Sequence, residues 1–335
     1  MKNKLKKNIL IILLLIIILI TVSIISLCIG STSIPIKSIF YVLFKAKDST
    51  DFKILFNIRL PRILLGFAIG GALSLSGVIL QGIFKNPLVE PYTLGISGGA
   101  GLGVCLNIVF KMTRIFGILS YPLFGFIGAM SVIYLIYFLS IKRGLIKIRE
   151  MLLTGVMISF ICSSIIMLIM AISRAEDIHG IVFWIMGSLD EPNWKLIIIA
   201  IIASIFGLII SYFFSTTLNA LSLGDEEAVH LGINVELSKR VLFILTSFLT
   251  GISVSIGGII GFVGLIVPLF IRMFVGYDFR IILIASFLSG ASFLILCDTI
   301  SRTIISPLEL PVGVVTGIIG GILFIYALSK RQLKL

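Results

Sequence analysis

The sequence predicts an all-α membrane protein, one polytopic domain over residues 1–335 with about ten transmembrane helices. Three observations carry that prediction. First, 59% of residues are hydrophobic and only 13% are charged, with mean hydropathy +1.21, where soluble chains carry about 25% charged residues. Second, charges and turn residues divide the chain into apolar runs of about 20 residues, the length of one span. Little is left over for a soluble domain. Third, the formal net charge is +12. On a membrane protein that excess suits the inside-positive bias and anionic headgroups better than nucleic acid.

The elements follow in order. Lys2, Lys4, Lys6 and Lys7 precede the apolar run Ile9 to Ile29, which is longer than a signal core and lacks a clear cleavage site. It is expected to be a retained first span with its N-terminus inside. Pro35 to Asn57 is an outer segment carrying Lys37, Lys45, Lys47 and Lys53 against Asp48 and Asp51. Arg59-Leu-Pro-Arg62 opens the second span, dense in Gly66, Gly70, Gly71, Ala72, Ser74, Ser76 and Gly77. Small residues let helices approach closely in lipid. Gln81 and the stretch Lys85 to Pro91 end it, and Pro87 and Pro91 predict a non-helical inner loop.

Further spans are expected at Thr93–Phe110, Ile115–Ile141, Met151–Ile172 and Lys195–Phe214. Lys142, Arg143, Lys147 and Arg149 make a basic inner loop, and Trp184 and Trp194 mark the outer loop Ser173 to Asn193. The last four spans are Val241–Gly257, Phe262–Phe274, Ile281–Ile300 and Pro311–Leu328. Arg272, Arg280, Lys330, Arg331 and Lys334 then lie inside.

A polar island, Leu221 to Glu236, interrupts this pattern. Ser222 and Asp225 stand at capping-box spacing. Asp225, Glu226 and Glu227 suit the first turn of a short helix, which Gly232 would stop. Ala228 and Leu231 are expected to share one face. The residues alone admit a solvated loop or a docking helix for a second protein. An internal echo relates Gly71, Gly77, Pro87-Leu88 and Gly95 to Gly251, Gly257, Pro268-Leu269 and Gly276. Five intervening spans place the copies on opposite sides, the pattern of an inverted repeat.

No catalytic residue is expected. No GxxxxGK[ST] loop and no HExxH occurs, and His179 and His230 fall in loops on opposite sides. Cys28, Cys105, Cys162 and Cys297 form no CxxC pair, and no metal site is expected. Asp298 and Arg302, at i and i+4, read as a structural ion pair near the outer end of the ninth span. The scarcity of mid-span acids argues against a proton-driven carrier.

Taken together, these residues resemble permease subunits of the type II ABC importers for iron-siderophores, haem and cobalamin. The resemblance rests on Arg59-Leu-Pro-Arg62, Gly71-Ala72 with Ser76-Gly77 and Gln81, Asn86-Pro87-Leu88 with Pro91, and Leu94 to Ala100. It continues in Gly187-Ser188-Leu189, Ala228 with Leu231-Gly232, and Gly261 to Leu265 with Pro268 and Arg272. Asp298, Arg302 and Glu309 to Gly313 complete it. Two departures show: Leu269 stands where the family usually has His, and no proline occurs near Ile322.

The resemblance implies an iron-chelate importer in the bacterial cell membrane, with a second permease subunit, two cytoplasmic ATPase subunits and an outer binding protein. ATP and Mg would belong to the ATPase, and no cofactor to this chain. It makes 219–236 the cytoplasmic coupling element, with Gly224, Asp225, Glu226, Glu227, Ala228, Leu231 and Gly232 seated in the ATPase. It makes Asn86, Pro87 and Leu88 the inner gate. It also makes Arg59, Arg62 and Arg302 the outer arginines that meet acids of the binding protein.

Overall fold

The computed structural model describes residues 2–30, 32, 34–35, 49–142, 145–146 and 148–329. The basic residues Lys37, Lys45, Lys47, Arg143, Lys147, Lys330, Arg331 and Lys334, with Asp48, lie outside the described residues. The helices are α1 (Lys2–Cys28), α2 (Leu60–Phe84), α3 (Ile96–Val109), α4 (Ser120–Ser140), α5 (Ile148–Ile172), α6 (Ala175–Ile185) and α7 (Trp194–Phe213). There follow α8 (Ser215–Leu223), α9 (Asp225–His230), α10 (Val235–Gly257), α11 (Val263–Val275), α12 (Phe279–Thr303) and α13 (Val312–Ser329). A short helix at Thr50–Ile54 runs through a π turn, Leu55–Arg59, into α2, and another single turn of helix spans Thr113–Phe116 before α4. Ile141–Lys142 and Leu145–Ile146 form a two-residue antiparallel ladder.

Eight of these helices are long and apolar enough to cross a membrane, while α3 and α11 are apolar but shorter. The expected third span, Thr93 to Phe110, thus starts late. Pro91 opens a 3-10 turn, and Gly95 follows it at φ +77°. The expected outer loop Ser173 to Asn193 contains α6, so His179 is helical and its ring lies 4.3 Å from that of Phe183. Glu176 and Asp177 fall in the first turn of α6, where the dipole favours them. His230 is likewise helical, the last residue of α9.

The core is built on α2, whose apolar window is 89% buried, against 6% for α1. Helix α2 packs chiefly on α12, and also on α7, α10 and α11. In lipid, close packing replaces the hydrophobic drive between helices. Gly77 shows how: a Cβ there would collide with the Gly264 carbonyl of α11.

The inverted repeat exists at the level of helices. Helix α2, a break and short α3 are matched by α10, a break and short α11. The two long members run in opposite directions, since Lys85 at the end of α2 and Lys239 in the first turns of α10 share Asp225. The residue echo does not follow this register. Pro87 lies in a break, whereas Pro268 lies inside α11. Pro268 has no N–H for the Gly264 carbonyl four residues back. Gln81 of α2 supplies a donor instead, with Nε2 3.3 Å from that oxygen and 3.4 Å from Leu265 O.

Candidate functional site

The expected coupling and gate residues meet at one end of the bundle. Asp225, the first residue of α9, accepts from Lys85 Nζ at 3.0 Å and from Lys239 Nζ at 2.5 Å. Burial opposes ionisation of Asp225, but the hydrogen bonds from Lys239 and then Lys85 outweigh it. They hold the carboxyl below the usual carboxylate range. Lys85 itself sits at φ +48° and turns the chain into Asn86-Pro87-Leu88. Asn86 Oδ1 accepts from the Leu88 N–H at 2.9 Å, an Asx-type turn that fixes the loop. One carboxylate therefore ties the helix Asp225–His230 to Lys85, just before the Asn86–Leu88 turn, and to the base of α10.

Gly232 ends α9 as expected. At φ +79° its N–H donates to Val229 O at 2.9 Å, and the Ile233 N–H donates to Ala228 O at 3.0 Å. This is a Schellman motif. The expected capping box is absent: Gly224 precedes the helix with no side-chain cap, and Ser222 Oγ bonds Asn219 O at 2.6 Å. Ser222 thus bonds back within its own helix, α8, rather than across to α9. The expected shared face of Ala228 and Leu231 does not form either. Ala228 is buried against Ala220 and Leu221, while Leu231, just beyond the helix, is 64% exposed. Leu223, Val229 and Leu237 are exposed beside it, as are Glu226 and Glu227.

Helix α8 has no precedent in the sequence reading. It anchors this end through Asn219. Its Nδ2 donates to Asp278 Oδ1 at 3.1 Å, and its Oδ1 accepts from the Phe279 N–H at 3.0 Å, at the start of α12.

The three arginines also meet, at the opposite end, but they are buried. Arg59 is 2% exposed and donates to the carbonyls of Leu27, Cys28 and Thr32. It thus caps the C-terminus of α1, where a cation suits the dipole. Arg62 Nη2 lies 3.2 Å from Asp190 Oδ1 and 2.7 Å from Glu309 Oε2, and Nη1 lies 3.9 Å from Asp298 Oδ1. Arg302 pairs with Asp298 at 2.9 Å and donates to Ser26 Oγ of α1 at 2.8 Å. The resemblance implied charges offered to a partner; here all three guanidinium groups are taken up by this chain. The Asp298–Arg302 ion pair has the expected geometry and belongs to a network of five side chains.

A cleft of about 290 Å³ opens at this end, lined by Tyr121, Phe183, Trp184, Ser188, Asp190 and Glu191 among others. Burial pushes the Glu191 carboxyl up, partly offset by the Asn193 N–H, and Asp190 adds to the rise. Leu269 is buried and Ile322 is 63% exposed, so the two departures from the family pattern fall in different surroundings. Among the described residues no three His, Cys, Asp or Glu side chains cluster to hold a metal.

A multi-pass bundle with two broken-helix repeats and a short acidic helix at one end defines a membrane transport permease. The chain belongs to the FecCD transport family, whose model matches residues 15–330. The Hemin transport system permease protein of Yersinia pestis is 38% identical over 82% of this chain and 83% of its own. The Molybdate import system permease protein of Haemophilus influenzae is 35% identical over 92% and 93%. A solved metal-chelate type ABC transporter in an inward-facing conformation has TM-score 0.83 and 31% identity, covering 96% of this chain and 99% of that one. The fold is that of a type II ABC importer permease, and the protein is an ABC importer permease of this family, a transporter component rather than an enzyme.

Proposed function

We propose that this permease carries an iron chelate, a siderophore or haem, into the cytoplasm, driven by two separate ATPase subunits. A binding protein delivers the cargo to the arginine end, and a second permease subunit completes the pathway. The reading puts α9 and both termini on the cytoplasmic side. ATP and Mg are held by the ATPase, not by this chain.

The observation that carries the proposal is the α9 end. A short acidic helix is anchored through Asp225 to the end of α2 and the base of α10, while Leu223, Val229 and Leu231 stay exposed around it. Exposed apolar residues rimmed by charge mark a protein interface, and the anchor passes motion of that interface to the gate loop Asn86–Leu88. The similarity to the haemin permease, at 38% identity, supports the haem and iron-chelate reading. The molybdate relative covers more of the chain and supports a second reading, an oxyanion cargo. Cobalamin is a third, through the resemblance in sequence.

At the other end, an acidic partner group reaches Arg62 by displacing Asp190 or Glu309. Such complementarity mainly sets orientation and association rate. The test of the coupling reading is the double variant Glu226→Lys, Glu227→Lys in vesicles holding the whole transporter. ATP-dependent uptake should fall at least about tenfold, equivalent to about 1.4 kcal/mol of lost coupling. Unchanged uptake and unchanged ATPase binding would refute it.

A further inference from the structure

The turn from Phe110 to Leu119 joins α3 to α4 at the arginine end, where its Ile118 lines the cleft together with Trp184. Its apolar residues from Ile115 onward were expected to belong to the fourth span, but α4 begins only at Ser120. They are left outside any long helix, and they face outward. Phe110, Ile115, Phe116, Ile118 and Leu119 are all exposed, Ile118 the most at 77%. Between them stand two exposed cations, Lys111 and Arg114, and the turn contains no acid. An apolar patch of this kind marks a contact with another molecule or with a membrane.

Two further observations point to the membrane. The first is the backbone. Helix α3 ends in a Schellman motif about Lys111, at φ +53°: the Lys111 N–H donates to Ile108 O and the Met112 N–H to Asn107 O, each at 3.0 Å. Beyond it the N–H groups of Arg114 and Ile115 donate to Lys111 O and Met112 O at 3.0 Å, and that of Gly117 to Thr113 O at 2.9 Å. Those of Ser120 and Tyr121 donate to Gly117 O at 3.1 Å and Ile118 O at 3.3 Å. The turn thus meets its own backbone needs, as polypeptide at membrane depth must. Phe116 folds back onto Phe124 of α4, with ring centres 6.2 Å apart. The second is length. Helix α3 has 14 residues, about 21 Å at 1.5 Å per residue, against an apolar layer of about 30 Å. The turn lies where a span of full length would still be crossing.

We infer that residues 110–119 form an interfacial anchor at the arginine end: Phe110, Ile115, Ile118 and Leu119 enter the apolar edge of the leaflet, and Lys111 and Arg114 meet the phosphates of anionic lipid headgroups. Apolar side chains on such elements sink about 5–10 Å into the boundary, while long cationic side chains reach back to the headgroups. A docked protein is the other possible occupant, but it would require neither the self-contained backbone nor the shortness of α3. Because Ile118, Tyr121 and Pro122 line the cleft, the leaflet then fixes the height of one cleft wall. The anchor needs only a chain that spans a membrane, whatever its cargo.

The test uses the full chain in lipid nanodiscs, with a nitroxide attached to Ile118→Cys. The parent chain, labelled in parallel, gives the background from its own cysteines. Collisions of the nitroxide with oxygen, which concentrates in lipid, are compared with collisions with a water-soluble nickel chelate. Glu176→Cys, at an exposed acid of α6, is the water-facing reference. In discs containing phosphatidylglycerol the oxygen-to-nickel ratio at residue 118 should exceed that at residue 176 by at least about threefold. The pair Lys111→Glu, Arg114→Glu should lower the ratio at residue 118 by about twofold or more in those discs, and by less in phosphatidylcholine alone.

A ratio at residue 118 no higher than at residue 176 overturns the anchor, and is the result a surface kept for a protein partner would give. A charge reversal without effect in phosphatidylglycerol overturns the headgroup contact. Should Ile118→Cys fail to fold, Ile115→Cys carries the same expectations and decides. The assay contains no cargo and no ATPase, so its failure and a failure of the uptake test are separate results.

Discussion

The two ends of this permease use the same charged chemistry in opposite ways. At the α9 end, Asp225 is 46% exposed and shared by the exposed Lys85 and the buried stem of Lys239, and the acids beside it face outward. At the arginine end, Arg62, Asp298 and Arg302 are each under 8% exposed and committed to one another. Exposed pairs are screened by water and contribute little. Buried pairs contribute little net stability when whole, but cost much when one partner is removed. The first end is therefore cheap to rearrange and suited to a moving contact. The second locks together the ends of α1, α2 and α12.

The largest effect that could break this contrast is at the buried network. Arg62→Ala leaves Asp298 buried with only Arg302, and should cost about 3–5 kcal/mol in thermal unfolding of the purified chain. A loss below about 1 kcal/mol, the range of surface pairs, would show that the network is not locked.

Next comes Lys239→Ala. It leaves Asp225 half-exposed with Lys85 alone, so the expected loss is about 0.5–1 kcal/mol after solvent screening. Faster proteolysis should be confined to the turn around α9. The sign with pH follows from the depressed carboxyl of Asp225. Its contribution is present above the unfolded value of about 3.9 and is lost only as pH falls through the lower folded value. Proteolysis at α9 should thus be flat from neutral pH down to about pH 5 and rise only in stronger acid.

The smallest effect is on stability in the double variant Glu226→Lys, Glu227→Lys. Both side chains are exposed, so unfolding should shift by no more than about 0.5 kcal/mol while uptake collapses. A large loss of stability would erase the distinction between a contact surface and a structural one.

Much of the fold was legible because apolar length and helix punctuation are local. Gly232 ends α9 through its own backbone, although the Asn234 cap, which starts α10 at Val235 and six residues before the expected Val241, went unread. The rest depends on residues far apart in sequence. Arg62 is neutralised by Asp190 and Glu309, neither of which has a spacing that announces it. The breaks before α3 and α11 read as an ordinary loop and a glycine-rich lead. They are held against the rest of the bundle by Tyr92 and Gln81, whose bonds reach 168 to 184 residues along the chain. Helix α6 was the nearest miss, since Glu176 and Asp177 already carry a first-turn signal.

Helix α1 draws a different consequence from the buried arginines. Little of its apolar length is buried within this chain, and its firm polar attachment is at one tip, where Arg59 and Arg302 grip the last turn. A greasy rod that rests on α12 through aliphatic contacts and is held by polar bonds only at its tip can exchange one aliphatic side chain for another on its outer face at little cost, provided its final turn keeps its shape. Arg302 is translated 276 residues after the Ser26 it grips. Until then the rod has to stay in the bilayer on its own oiliness, and its density of leucine and isoleucine meets that demand.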